Sequence, residues 1–154
     1  MAATALIQNR QGEKPVGIPE SPLLIGMTTR SHQVPTVMLQ ELVHQLYRGE
    51  RIPLYRKVSL IFCTNYAIRK LNARYRGIDR PTDVLSFTMG DDDLLGEIFI
   101  SLQRADVQSR RFGTSFDVEI ARLFVHGFFH LLGYDHQKEA ERIRMEKREK
   151  KYFF

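Results

Sequence analysis

Cysteine is nearly absent from this 154-residue chain, which holds only Cys63, and tryptophan is missing altogether. One thiol excludes an internal disulfide, and with it the stapled scaffolds of small secreted proteins; a reducing, cytoplasmic setting is the expectation. Cys63 sits in the strand-like run VSLIFCT with no histidine beside it. It therefore reads as a small buried apolar residue rather than a nucleophile or metal ligand. No apolar run is long enough to span a bilayer. The opening MAATALIQNRQ lacks a basic stretch ahead of its short apolar patch, so it does not read as a secretory leader. There is no internal repeat, Walker loop or dinucleotide fingerprint. Asp91-Asp92-Asp93 lacks the alternating ligand spacing of a calcium loop and reads as a solvated turn.

What is present is ordinary for one compact domain, expected to take in residues 1–154, with 43% apolar and 27% charged residues. A net charge of +5 and a pI near 9.5 mildly favour an acidic partner such as RNA.

Along the chain, TALIQN at 4–9 can form a short strand. The stretch from Gly12 to Pro35 carries Pro15, Pro19, Pro22 and Pro35 and reads as an irregular loop (12–35). Thr36 is placed to cap a helix with an apolar stripe of Val37, Leu39, Leu42, Val43, Leu46 and Tyr47, closing at Gly49. His44 and His32 read as surface or half-buried residues. Lys57 to Cys63 reads as a strand, followed by a helix capped by Thr64 and ending at Arg76-Gly77. Val84–Thr88 and Leu94–Ile100 read as a hairpin around the acidic loop. Ser101 caps a further helix that stops at Gly113. Thr114 with Asp117 reads as a capping box for the next helix, apolar on nearly every side from Ile120 to Leu132 and so central to the fold. The segment after His136 alternates in charge and reads as a solvated surface helix with a surplus of Lys and Arg able to touch RNA.

The chemistry concentrates in HGFFHLLGYDH, residues 126–136. His126 and His130, four apart, lie on one helical face. Gly133 can end the helix by taking a left-handed conformation, and the returning chain can bring in His136. Three imidazoles around a point with one position open make the ligand set of a catalytic zinc site. A closed structural site and separately satisfied histidines are the alternatives, but burying two imidazoles in so apolar a run without partners is costly. The spacing is the outer frame of H-E-x-x-H-x-x-G-x-x-H. Gly127 stands where metalloproteases of that pattern carry their glutamate base, which argues against ordinary peptide hydrolysis. A glycine inside a helix also costs about 1 kcal/mol relative to alanine, so Gly127 implies close approach by a backbone segment or by substrate.

The blocks HGFFHLLGYDH, NARYRGIDRPTDVLSF and LLGEIFIS resemble, in order, the signature blocks of the YbeY family of bacterial metal-dependent endoribonucleases. The resemblance runs over roughly two thirds of the chain and does not extend to the proline-bearing segment. Phe129, Glu97 and Thr88 depart from the family's usual residues without removing a ligand. The resemblance implies an α+β domain in which the His-bearing, zincin-like helix packs on a mixed sheet of about four strands. It further implies cleavage of single-stranded RNA in 16S rRNA 3′-end maturation and ribosome quality control, on the rRNA precursor and the small ribosomal subunit. His126, His130 and His136 carry over as ligands of one Zn2+ per chain, and Arg76 matches the family's functional arginine. By its own position, Arg76 equally suits a helix-closing cation. Asp83, Glu97 and Asp135 are candidates to accept the second ring N–H of the ligating histidines. Two rival readings are a metal hydrolase on a non-RNA substrate and a ribosome-associated assembly factor with a mainly structural metal.

Overall fold

The computed structural model describes residues 21–152. TALIQN lies outside them. The elements run β1 (Leu23–Met27), α1 (Thr36–Gly49), β2 (Lys57–Cys63), α2 (Asn65–Arg76), β3 (Val84–Thr88), β4 (Leu94–Ser101), α3 (Leu102–Phe112), α4 (Phe116–Leu131) and α5 (Glu139–Glu149). The strands form one mixed sheet in the order β1-β2-β4-β3. β1 and β4 flank β2 in parallel, and β3 pairs antiparallel with β4. The expected α+β class and four-stranded mixed sheet hold.

Helices cover both faces. Leu39, Val43 and Leu46 of α1 and Phe124, Val125 and Phe128 of α4 share one apolar cluster with Val58, Leu60 and Phe62 of β2. Ile68 of α2 packs in a second cluster with Ile61, Cys63, Leu85 and Phe99. The period-2 alternation of strands sorts these residues: Leu60 and Phe62 face α1 and α4, whereas Ile61 and Cys63 face α2. α4 is therefore sandwiched between sheet and neighbouring helices, which is why its sequence is apolar nearly all round.

Several local expectations hold. The Thr64 and Ser101 hydroxyls accept from Ala67 N and Arg104 N, and Gly77 and Gly113 end their helices at φ 71° and 69°. Others need correction. The segment read as an irregular loop, 12–35, contains β1, whose short LLIGM run pairs with β2 from Leu23↔Val58 to Met27↔Phe62. As an edge strand only partly buried, β1 needs no clean alternation and tolerates prolines just outside it. Pro35, not Thr36, occupies the N-cap of α1 and makes no side-chain cap bond. Ser115, not Thr114, caps α4, accepting from Val118 N at 3.2 Å. Val37 stands 72% exposed, off the apolar stripe. Finally, α5 is docked rather than merely solvated: Met145 is 2% exposed in the core, and Arg148 bonds the Tyr134 hydroxyl and the Glu50 carboxylate.

Candidate metal centre

α4 brings His126 and His130 to one face, and its end is set by Gly133, which at φ 95° takes the turn a side chain resists. Gly133 N and Tyr134 N then donate back to His130 O and Phe129 O. That turn folds His136 over the other two rings, with centroids 5.6 Å from His126 and 5.0 Å from His130. One ring nitrogen from each of the three lies within 4.8 Å of the others. The first two are half-buried and His136 is exposed, so the cluster opens to solvent on the His136 side.

Hydrogen bonds at Nδ1 orient two of the rings. His126 Nδ1 lies 2.8 Å from the Glu149 carboxylate, and His130 Nδ1 lies 2.9 Å from the Tyr134 carbonyl oxygen. Both partners only accept, so each Nδ1 bears a proton, which leaves Nε2 as the nitrogen each ring can offer to a metal. Those two Nε2 atoms are 3.2 Å apart. When both rings are neutral with Nδ1 protonated, two Nε2 lone pairs at that distance repel unless a cation lies between them. Zn–N bonds of 2.0–2.1 Å in a tetrahedron place ligand nitrogens ~3.3 Å apart, so the spacing fits a metal of that size. Burial first, and the neighbouring His126 next, push the His130 pKa below its ordinary value, keeping its ring in the neutral form that binds metal.

Gly127 explains itself in the same geometry. A Cβ there would meet Ile98 Cγ2 and Ser86 Oγ at 2.9 Å and Val84 Cγ2 at 3.2 Å. Ser86 Oγ also donates to Gly127 O at 2.9 Å. The close approach comes from β3 and β4, so this glycine seats the histidine-bearing turn on the sheet.

The residues expected to support the histidines are placed as follows. Asp83 accepts from Val84 N and Gln108 Nε2 at the start of β3. Glu97, 2% exposed, alternates with Gly96 and Ile98, which face α4, so its side chain lies on the opposite sheet face. Asp135 accepts from His136 N at 2.7 Å. The groups bonded to the imidazoles are instead Glu149 and the Tyr134 carbonyl. Glu149 was missed because it lies thirteen positions after His136; its signal was Met145, the one buried residue of a charged helix, which marks the face that docks. Arg76 ends α2, exposed, and its side chain makes no hydrogen bond or ion pair among the described residues.

A mixed four-stranded sheet backed by a helix that presents two histidines one turn apart, with a third returned by a glycine turn, defines a zincin-like α+β domain whose histidine cluster could hold a metal ion. The family model for endoribonuclease YbeY matches residues 25–154. The endoribonuclease YbeY of Pelotomaculum thermopropionicum is 40% identical over 153 residues, covering 94% of this chain and 91% of that protein. The endoribonuclease YbeY of Heliobacterium modesticaldum is 42% identical over 131 residues, covering 75% and 79% respectively. The solution structure of TM1509 from Thermotoga maritima superposes with a TM-score of 0.57 at 30% identity, over 83% of this chain and 85% of that one. The chain belongs to the endoribonuclease YbeY family.

Proposed function

We propose that this chain is a zinc-dependent, single-strand-specific endoribonuclease of the cytoplasm. Its task is 16S rRNA 3′-end maturation and ribosome quality control, on the rRNA precursor and the small ribosomal subunit. The observation that carries the reading is the pair of Nε2 atoms 3.2 Å apart, beside a third imidazole and open to solvent on one side. Family membership supports RNA as the substrate. When bound, the ion supplies Lewis-acid stabilisation of charge on a phosphoryl oxygen and lowers the pKa of water toward neutrality.

The protein's own groups do the rest. Glu149 and the Tyr134 carbonyl hold the two rings in the Nδ1–H tautomer, so both Nε2 atoms stay available as ligands. With glycine at 127, no carboxylate on that turn takes a proton from the attacking group. RNA carries its own 2′-hydroxyl as an internal nucleophile, which makes a protein nucleophile unnecessary. Arg76 is assigned to the scissile phosphate, where its planar fork neutralises the charge that develops on the oxygens.

The test pairs elemental analysis with cleavage of a single-stranded RNA, on wild type and on His130→Ala. The expected result is one zinc per chain in wild type. Zinc and cleavage are then lost together in a variant that keeps its circular dichroism spectrum. Zinc retained by His130→Ala, or cleavage undiminished by chelator, overturns the reading.

A further inference from the structure

The outer face of α2 lies on the far side of the sheet from the histidines and, apart from Arg76 at the helix end, has no part in the proposed metal centre. Its twelve residues, NYAIRKLNARYR, contain four cations and no acid. Tyr66, Lys70 and Arg74 recur at i, i+4 and i+8, so they form one stripe along the helix. Arg69 and Ala73 run beside it. Tyr66 is 66% exposed and Tyr75 52%, an unusual display for two large rings on one short helix. Each ring has a cation over one face: Lys70 Nζ lies 4.4 Å from the Tyr66 centroid, and the Arg74 guanidinium 5.3 Å from that of Tyr75. Tyr66, Arg69, Lys70, Ala73, Arg74 and Asp79 line a shallow concavity of about 610 Å³. Asp79 is the one acid there, and it is already held by Arg69 at 2.9 and 3.2 Å.

We propose that this face is a docking track for single-stranded RNA, with Tyr66 stacking a base and Lys70 and Arg74 holding the phosphates on either side of it. Exposed rings interleaved with cations are what sequence-tolerant single-strand binding needs, because every base has a π-face and every linkage a charge. An acidic protein segment would satisfy the cations but leaves the exposed rings without a task. The track also leads to the metal centre. From Tyr66 to Tyr75 it runs ~13 Å along the helix. The Tyr75 ring then meets Phe87 of β3 at 5.2 Å. β3 is an edge strand of the sheet, and on its other face Ser86 bonds Gly127, the neighbour of His126. A single edge strand therefore separates the end of the track from the histidines, and a strand laid on α2 crosses it into the site. The inference rests on the endoribonuclease reading for its ligand, but it makes a separate claim about where that ligand lies.

The experiment is fluorescence anisotropy with a labelled, unstructured single-stranded RNA across a salt series. It uses the full chain in the His130→Ala background, so that nothing is cleaved. Tyr66→Ala is expected to weaken binding at least ~5-fold. Lys70→Gln with Arg74→Gln is expected to weaken it and to flatten the log–log salt slope by ~1.4, at ~0.7 per phosphate for a single strand. Arg110→Gln with Arg111→Gln on α3 removes the same charge elsewhere and should leave the slope nearer wild type. Unchanged affinity and slope in the α2 variants, or an equal loss in the α3 control, overturns the track. Loss of poly-glutamate binding without loss of RNA binding overturns it in favour of an acidic protein. RNA bound through α2 by wild type but never cleaved refutes the endoribonuclease reading and leaves the track standing. All five side chains are exposed, so unchanged circular dichroism is expected throughout.

Discussion

Gly127→Ala tests the link between the sheet and the metal centre. Helix propensity alone favours alanine by about 1 kcal/mol. Against that, the new Cβ would lie 2.9 Å from Ile98 Cγ2 and Ser86 Oγ and 3.2 Å from Val84 Cγ2. Two of those atoms are methyls of β-branched side chains with little rotamer freedom, so relief must come from backbone movement. Overpacking of this kind costs ~1–3 kcal/mol. Displacing Ser86 also weakens its bond to Gly127 O, worth roughly 1 kcal/mol. The balance is a loss of ~1–2 kcal/mol, or ~2–8 °C in Tm for a chain of this size. Thermal unfolding of both proteins in chelator removes the contribution of bound metal. A separate zinc titration should show weaker binding by the variant, because the turn that moves carries both helical histidines. An unchanged or higher Tm with unchanged affinity refutes the reasoning. Gly113→Ala is the contrast: its φ of 69° lies in open space, so it should lose ~1–2 kcal/mol through backbone strain with zinc affinity intact.

Glu149→Gln keeps the shape of the side chain but removes the charge that accepts the His126 Nδ1–H; chelator competition should show zinc affinity falling ~10–100-fold, and an unchanged affinity would make the contact incidental. Glu119 is 1% exposed and held by Arg122 Nε and Nη2 at 3.0 and 2.6 Å. Arg122→Ala should therefore cost ~2–3 kcal/mol in urea unfolding, less than for a fully buried pair because the arginine is 44% exposed. Burial pushes the Cys63 thiol from its ordinary 9.0 up to about 12. Alkylation of the folded protein should stay slow through pH 9–10 and become fast on unfolding. Because the folded thiol binds its proton more tightly than the unfolded one, its contribution to stability is complete below pH 9 and declines above it; rapid modification of native protein at pH 8 would contradict this.

Sequence by itself determined the features whose causes are local. The caps at Thr64 and Ser101 and the glycine stops at 77 and 113 follow from side-chain-to-backbone bonds and left-handed turns within a few residues. The His126–His130 pair on one face follows from helical periodicity, and the oddity of Gly127 from its propensity cost. Capping by neighbouring hydroxyls was decided one residue away from the expectation at Thr114, since Thr114 and Ser115 offer the same chemistry and only the entry angle of the chain chooses. Tertiary structure alone decided what depends on distant partners. LLIGM became β1 because β2 offered it an unpaired edge, which its own residues do not encode against a background of prolines. The neighbour that forbids a side chain at 127 turned out to be β3 and β4 rather than substrate. Glu149 reached His126 because Met145 docks α5 into the core, and a single buried methionine in a charged helix is too weak a periodic signal to orient that helix. Asp83 and Glu97 stood near the signature blocks in sequence, yet strand alternation turned Glu97 to the other face. A helix sets its own register through bonds four residues apart, whereas a metal ligand's supporting carboxylate is chosen by the packing of elements that meet only in the folded chain.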